Sequence, residues 1–290
     1  MTVEIKNDLL KVSIAAKGAE LQSIESIATG IEYLWNGDEK YWGKKSPVLF
    51  PIVGGLKNNT YKHNGKNYSL GRHGFAREKL FAIAKKSMDS VTFQLQSNEE
   101  SLLVYPFHFL FSITYSLLQN KLYCTYTIVN TGDEEMYFSV GAHPAFKLPL
   151  TEGTSFNEWY LHFNKTENTA RWPLSAEGQI ALHPENLLMD TQTLPLTKNL
   201  FEGDALVFKN LLSDTISILS HQSPHGLSMQ FEGFPYFGIW STKGADFVCL
   251  EPWCGIADSI NASGELKEKE GINRLLPGEV FEKKWTVEMF

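Results

Sequence analysis

The sequence predicts an all-β fold, a large antiparallel β-sandwich. Apolar and polar residues alternate along many short runs, turn residues punctuate those runs, and no long helical pattern interrupts them. Asn64-Gly65, between Tyr61-Lys62-His63 and Lys66-Asn67-Tyr68, is a strong hairpin signal. Val91 to Leu95 reads as a strand, and the only helix-like stretch, Ser97 to Val104, is short. Phe109, Phe111, Ile113, Tyr115 and Leu117 then keep a period of two, Gln119-Asn120 turns the chain, and Leu122, Cys124, Tyr126 and Ile128 keep it again. Asn130-Thr131-Gly132-Asp133 makes the next turn into Met136 to Val140. Leu148 to Thr197, with Pro149, Pro173, Pro184 and Pro195, reads as a loop-rich decoration on one side of the sandwich. Strand character returns at 205–208, 215–219, 226–231, 237–240, 247–250 and 280–289. No Gly/Ser- or Pro-rich linker and no fixed-period repeat divides the sequence, so residues 1–290 are expected to form one domain.

Hydrophobic residues make up 43% of the chain and charged residues 20%, the balance of a globular protein. A net charge of −7 disfavours nucleic acid and anionic membrane as partners. The mixed-sign run Glu265 to Glu270 reads as a solvated turn. Residues 1–8 lack the apolar core of a signal peptide, and no run approaches the ~18 apolar residues of a membrane span. Cys124, Cys249 and Cys254 fit neither a Cys-x-x-Cys motif nor a Cys/His zinc spacing; reduced thiols in a cytoplasmic protein are the plain expectation.

Chemistry concentrates in three segments. Glu251 follows the apolar run Phe247-Val248-Cys249-Leu250, where a carboxylate is costly to bury without a partner or a task. Partial burial would raise its pKa toward that of a base working near neutral pH; a structural ion pair at a strand end is the alternative. His143 ends the strand-like run Met136 to Ala142, and Pro144 puts it at a sheet edge or rim. It suits proton transfer near neutral pH, or a bond to a carbonyl at the edge of the core. Leu70 to Arg77 holds His73, Arg72 and Arg77 in a glycine-punctuated loop; the guanidinium forks could take a carboxylate, a phosphate or hydroxyls, or anchor the loop through salt bridges such as Arg77 to Glu78. Among the aromatics, Trp253 and Phe146 are the expected sugar-stacking rings, ahead of Trp35 and Trp42. Asp204, at a strand entry, could accept from two adjacent hydroxyls or cap a turn. There is no Gly-x-Gly-x-x-Gly, phosphate-binding loop or Gly-x-Ser-x-Gly elbow, which removes nicotinamide, nucleotide-hydrolysis and serine-esterase readings.

Four segments in order, Phe50-Pro51-Ile52-Val53-Gly54, Arg72-His73-Gly74-Phe75-Ala76-Arg77, Gly141-Ala142-His143-Pro144-Ala145-Phe146 and Leu250-Glu251-Pro252-Trp253, resemble the aldose 1-epimerase (galactose mutarotase) family across essentially the whole chain. Within that family the chain is most similar to the LacX-type branch of lactic-acid bacteria. The resemblance implies a β-supersandwich that binds an aldose in an open cleft and needs no metal, nucleotide or redox cofactor. It assigns the general base to Glu251 and the general acid to His143. It also implies that His73 contacts the sugar and that Asp204, in Gly203-Asp204-Ala205-Leu206, binds its hydroxyls.

The chain departs from the family at two points. Galactose mutarotases carry an Asn-Arg-Ile segment where this chain has Pro51-Ile52-Val53-Gly54-Gly55-Leu56-Lys57, so the arginine contact would fall to Arg72 or Arg77. The hexose-6-phosphate branch has an arginine shortly before the Phe-Pro segment, where only Lys44 and Lys45 stand here. The expected ligand is thus an aldose or aldose phosphate. Three activities fit: a 1-epimerase acting on either sugar, a non-catalytic sugar-binding protein, and a metal-dependent isomerase using His73, His143 and Glu251 as ligands. The paired His143 and Glu251 favour the first, because a binding module needs no acid–base pair. The lack of closely spaced His-x-His ligands ranks the third last.

Overall fold

The computed structural model describes residues 1–290. Its largest sheet has nine strands in the order 185–195, 159–171, 215–220, 223–230, 280–289, 121–130, 109–118, 90–96 and 82–86, every neighbouring pair antiparallel. A smaller sheet sets Val140–Gly141 and Ala145–Lys147 beside Phe247–Cys254, followed by Tyr236–Trp240 and Leu206–Lys209. The predicted alternation decides what faces inward. Phe109, Phe111, Ile113, Leu122, Cys124 and Ile128 of the large sheet share one buried cluster of 65 residues with Leu206, Phe208, Phe237, Ile239, Val248 and Leu250 of the small one. Two sheets meeting through their apolar faces make the predicted sandwich.

Local signals resolve as the turn chemistry requires. Thr60–His63 and Lys66–Ser69 form the hairpin, with Asn64 and Gly65 both at positive φ, 48° and 74°. The helix-like stretch is a short helix, Glu99–Val104, whose Asn98 cap and Ser101 complete a capping box. Thr2–Lys6, Leu10–Ala15 and Glu20–Ser26 add a three-stranded sheet at the N-terminus. No helix is long and apolar enough to cross a membrane.

Two expectations are corrected. Residues 148–197 are not mainly loop: Trp159–Arg171 and Glu185–Pro195 are long strands that complete one edge of the large sheet. Pro149, Pro173 and Pro184 lie between strands, and Pro195 ends the outermost one, where a missing N–H costs least. The run 265–270 is not simply a solvated turn. Lys269 is buried and bonds Asp258 Oδ1 at 2.8 Å and the Ile256 carbonyl at 2.6 Å.

Candidate active site

The outer face of the small sheet builds the site. In Phe247–Cys254, Val248 and Leu250 point into the main core, so Cys249, Glu251 and Trp253 point the other way. Gly141 pairs with Trp253 and Ala145 with Cys249, and the same register places His143 directly opposite Glu251. The two short strands flanking His143 therefore act as one strand opened in the middle, with Ala142 N–H donating to the Pro252 carbonyl and Leu250 N–H to that of Pro144. His143 Nε2 lies 3.3 Å from Glu251 Oε2. Pro144 places His143 at a rim, as expected.

This pair lines a cavity of about 290 Å³, near the lower end of small-molecule sites. Arg72, His73 and Arg77 enter from one loop, Asp204 precedes the Leu206–Lys209 strand, and Trp253, Trp240 and Trp42 supply aromatic wall. Seven of the eight predicted site residues thus converge. The eighth, Phe146, does not: it pairs with Val248, shares its face and is fully buried in the main core. In a strand, one position separates core from cavity. Trp253 is only 6% exposed, its indole pressed where a Cβ on Gly238 would come within 2.4 Å and one on Gly141 within 2.6 Å. It makes cavity floor rather than an open stacking face.

Two rings flank His143: Trp42, ranked behind Trp253 and Phe146 from the sequence, and Trp240, not singled out there. Trp42 stacks on the imidazole at 4.9 Å between centroids and 27° between planes, and Trp240 meets it edge-on at 5.6 Å. Trp240 pairs with Cys249, so strand parity assigns it to this face once the pairing is known. Trp42 comes from a loop and carries no such signal.

Burial sets the electrostatics. Desolvation pushes Glu251 well above the ordinary carboxylate range and the nearby Asp204 adds to this. The Trp253 indole pulls the other way while falling short of a full hydrogen bond. Desolvation likewise lowers His143 to about 3, with Arg77 repelling the imidazolium. His73 is held well below its usual pKa by burial and by its neighbours His143, Arg77 and Arg72. Its Nδ1 accepts from Gly54 N–H at 3.1 Å, so the neutral ring carries its proton on Nε2. The Gly54 segment is fixed in turn, because the buried Asp258 accepts from Lys57 N–H at 2.9 Å and donates its own N–H to the Gly55 carbonyl. His143 Nδ1, Glu251 Oε2 and Trp253 Nε1 are buried without a hydrogen-bond partner.

The basic groups divide. Arg72 and Arg77 line the cavity, and neither forms an ion pair; Arg77 bonds only the Arg72 carbonyl, at 3.0 Å. A Cβ on Gly178 would fall 1.7 Å from the Arg72 guanidinium, so this glycine lets the arginine lie against the opposing loop. Glu78, the expected partner of Arg77, is held by Lys17 and Lys44 instead, and Lys45 Nζ bonds the Gln22 carbonyl. The lysines are therefore occupied away from the cavity.

Residues 1–288 match the family model for aldose 1-epimerase. The chromosomal protein LacX of Lactococcus lactis subsp. lactis is 32% identical over 296 residues, covering 99% of each chain. A galactose mutarotase related enzyme from Lactobacillus acidophilus superposes with a TM-score of 0.95 at 36% identity, over 100% of this chain and 97% of that one. A galactose mutarotase-like protein from Lactobacillus casei gives 0.93 at 30% identity, with both chains fully covered. A sandwich of this topology, a cavity that gathers the four recurrent segments, and similarity along its full length lead to one conclusion: the chain belongs to the aldose 1-epimerase family.

Proposed function

We propose that the protein is a cofactor-independent aldose 1-epimerase that interconverts the α and β anomers of an aldohexose by ring opening and closure. The observation that carries this reading is the cross-strand pair of His143 and Glu251, buried at 3.3 Å on the cavity side of the small sheet. Burial raises Glu251 and lowers His143, so a proton held by the pair favours the carboxyl over the imidazole. Ring opening needs the other tautomer, Glu251 ionised and His143 protonated, which one short proton transfer supplies without exchange with solvent. Glu251 takes the proton from the anomeric hydroxyl while His143 gives one to the ring oxygen. The C1–O5 bond breaks and the C1 carbonyl forms. Rotation about C1–C2 presents the other carbonyl face, and closure returns both protons. General acid and base contributions of ~10²–10⁴-fold each suffice for a reaction that already proceeds in water.

The remaining groups bind. His73 offers Nε2–H to a sugar oxygen. Asp204, with one carboxylate oxygen already accepting from Ala205 N–H at 2.8 Å, offers its other acceptor positions to neighbouring hydroxyls. Trp42 and Trp240 bracket His143 and shield it from water. A purely sugar-binding role would leave the buried acid–base pair without a task. Three buried, unpaired cysteines are in keeping with a cytoplasmic setting.

A second reading, hexose-6-phosphate epimerisation, is favoured by one observation: Arg72 and Arg77 line the cavity and neither is held in an ion pair. With the lysines occupied elsewhere, we take the phosphate to be tolerated rather than required. The test is polarimetry or exchange NMR on fresh α-aldoses and their 6-phosphates at low and moderate salt. Neutral aldohexoses should be accelerated, and salt should depress turnover of the phosphates more. A large preference for the phosphate that survives moderate salt would establish a dedicated phosphate site. No acceleration of any sugar would remove the enzyme reading.

A further inference from the structure

We propose that His143, Cys249 and Glu251 together form a Zn²⁺-binding site whose occupation competes with the sugar. Cys249 and Glu251 project from the same face of one strand two residues apart, and His143 stands opposite Glu251 on the next. One ligand atom from each lies within 4.8 Å of the other two, and all three side chains are buried. Zinc bonds of ~2.0–2.3 Å put the ligand atoms of a tetrahedral ion roughly 3.3–3.8 Å apart. The His143 Nε2 to Glu251 Oε2 separation of 3.3 Å already has that value, and the Cys249 sulfur, within 4.8 Å of both, needs to close in by at most about 1 Å.

The donor set also suits the ion. Nitrogen, sulfur and carboxylate oxygen are its preferred ligands, and a thiolate with a carboxylate neutralises its charge in a dry site. Zinc takes Cys249 as thiolate and Glu251 as carboxylate, so any proton either group carries is released to the buffer, while neutral His143 contributes a lone pair. The unpartnered Glu251 oxygen loses no existing hydrogen bond. His73, which sequence reasoning grouped with these residues, stays outside: its Nδ1 lone pair is engaged by Gly54 N–H. Three protein ligands leave a fourth position, open on the cavity side where the sugar binds. The ion therefore takes the base oxygen and the imidazole nitrogen that the proposed reaction uses. This consequence for turnover rests on that proposal; the binding itself does not.

Titration of the full-length, metal-stripped protein with Co²⁺ as a zinc surrogate tests the site without turnover. One equivalent should give a near-ultraviolet thiolate-to-metal band with four-coordinate visible bands, and Zn²⁺ should abolish both. Cys249→Ser should remove the thiolate band, whereas Cys124→Ser and Cys254→Ser should keep it. Loss of even an outer-shell partner costs ~10–100-fold in metal affinity, so Cys249→Ser should weaken Zn²⁺ by at least ~10-fold in competition with a chromophoric chelator. Should Cys249→Ser misfold, X-ray absorption on the zinc-loaded wild type should show one sulfur at about 2.3 Å and the rest nitrogen or oxygen near 2.0 Å. Absence of the band in wild type, its persistence in a folded Cys249→Ser, or a sulfur-free zinc shell overturns the proposal. A cobalt site on a protein that accelerates no sugar would instead defeat the proposed function and leave this inference standing.

Discussion

Replacing Glu251 by glutamine separates chemistry from architecture. Burial favours the protonated form of the carboxyl, so the substitution replaces it with a neutral group of nearly the same shape. The new amide faces His143 Nε2 across the same 3.3 Å gap. Its second N–H has no assured partner, which bounds the stability cost at about 1–3 kcal/mol. Catalysis has no such cushion, because an amide neither takes the anomeric proton nor hands one to His143. Turnover should fall ~10²–10⁴-fold. At 1.36 kcal/mol per tenfold this raises the barrier by roughly 2.7–5.4 kcal/mol. Exchange NMR between anomers of glucose or galactose measures the rate, and urea denaturation measures stability. A Glu251→Gln protein that equals wild type in exchange would show that the base lies elsewhere. A rate loss with a much larger stability loss would show that Glu251 is chiefly structural.

The pair's opposed shifts also fix the pH dependence of kcat/KM. Activity should be lost in acid as a second proton enters at His143, whose pKa is about 3, and in alkali as Glu251 gives up its raised proton. Trp253 lowers the Glu251 pKa, so Trp253→Phe should move the alkaline limb upward; an unmoved limb would deny the indole this influence. Gly238→Ala drives a methyl group to 2.4 Å from the Trp253 ring, which should cost about 1–3 kcal/mol of stability and distort the cavity floor. Unchanged denaturation and kinetics would refute that packing. By calorimetry, Asp204→Ala should weaken sugar binding by about 1.5–3 kcal/mol as charge-assisted bonds are lost. His73→Ala, losing a neutral donor, should cost only about 0.5–1.5 kcal/mol, and a reversed order would mean His73 binds as a cation.

How much of this could be read beforehand depended on whether the signal was local. The alternation in 109–117 and 122–128 named its strands because one face of each is buried, and Asn64-Gly65 named its hairpin because few other residue pairs hold two positive φ values. Within 159–171, Trp159, Leu161 and Phe163 do alternate, but the strand then runs to the polar edge of the sheet where nothing enforces a pattern. Proline content outweighed that half-signal and the segment read as loop. Phe146 failed for a sharper reason. Its aromatic type suits a sugar, yet it lies one residue past Ala145, whose partner Cys249 is on the same strand face as Glu251, and so it turns to the core with Val248. The same parity rule would have admitted Trp240 and placed Cys249 beside Glu251, but it needs the strand pairing, which composition and spacing do not supply. Lys269 looked solvated because its partner Asp258 lies 11 positions back and meets it only once the chain has folded. Glu251 and His143 were legible because a carboxylate after an apolar run and a histidine before a strand-breaking proline are each costly to place. Their meeting across one strand pair gives both costs a common place: a buried carboxyl and imidazole 3.3 Å apart on the cavity wall.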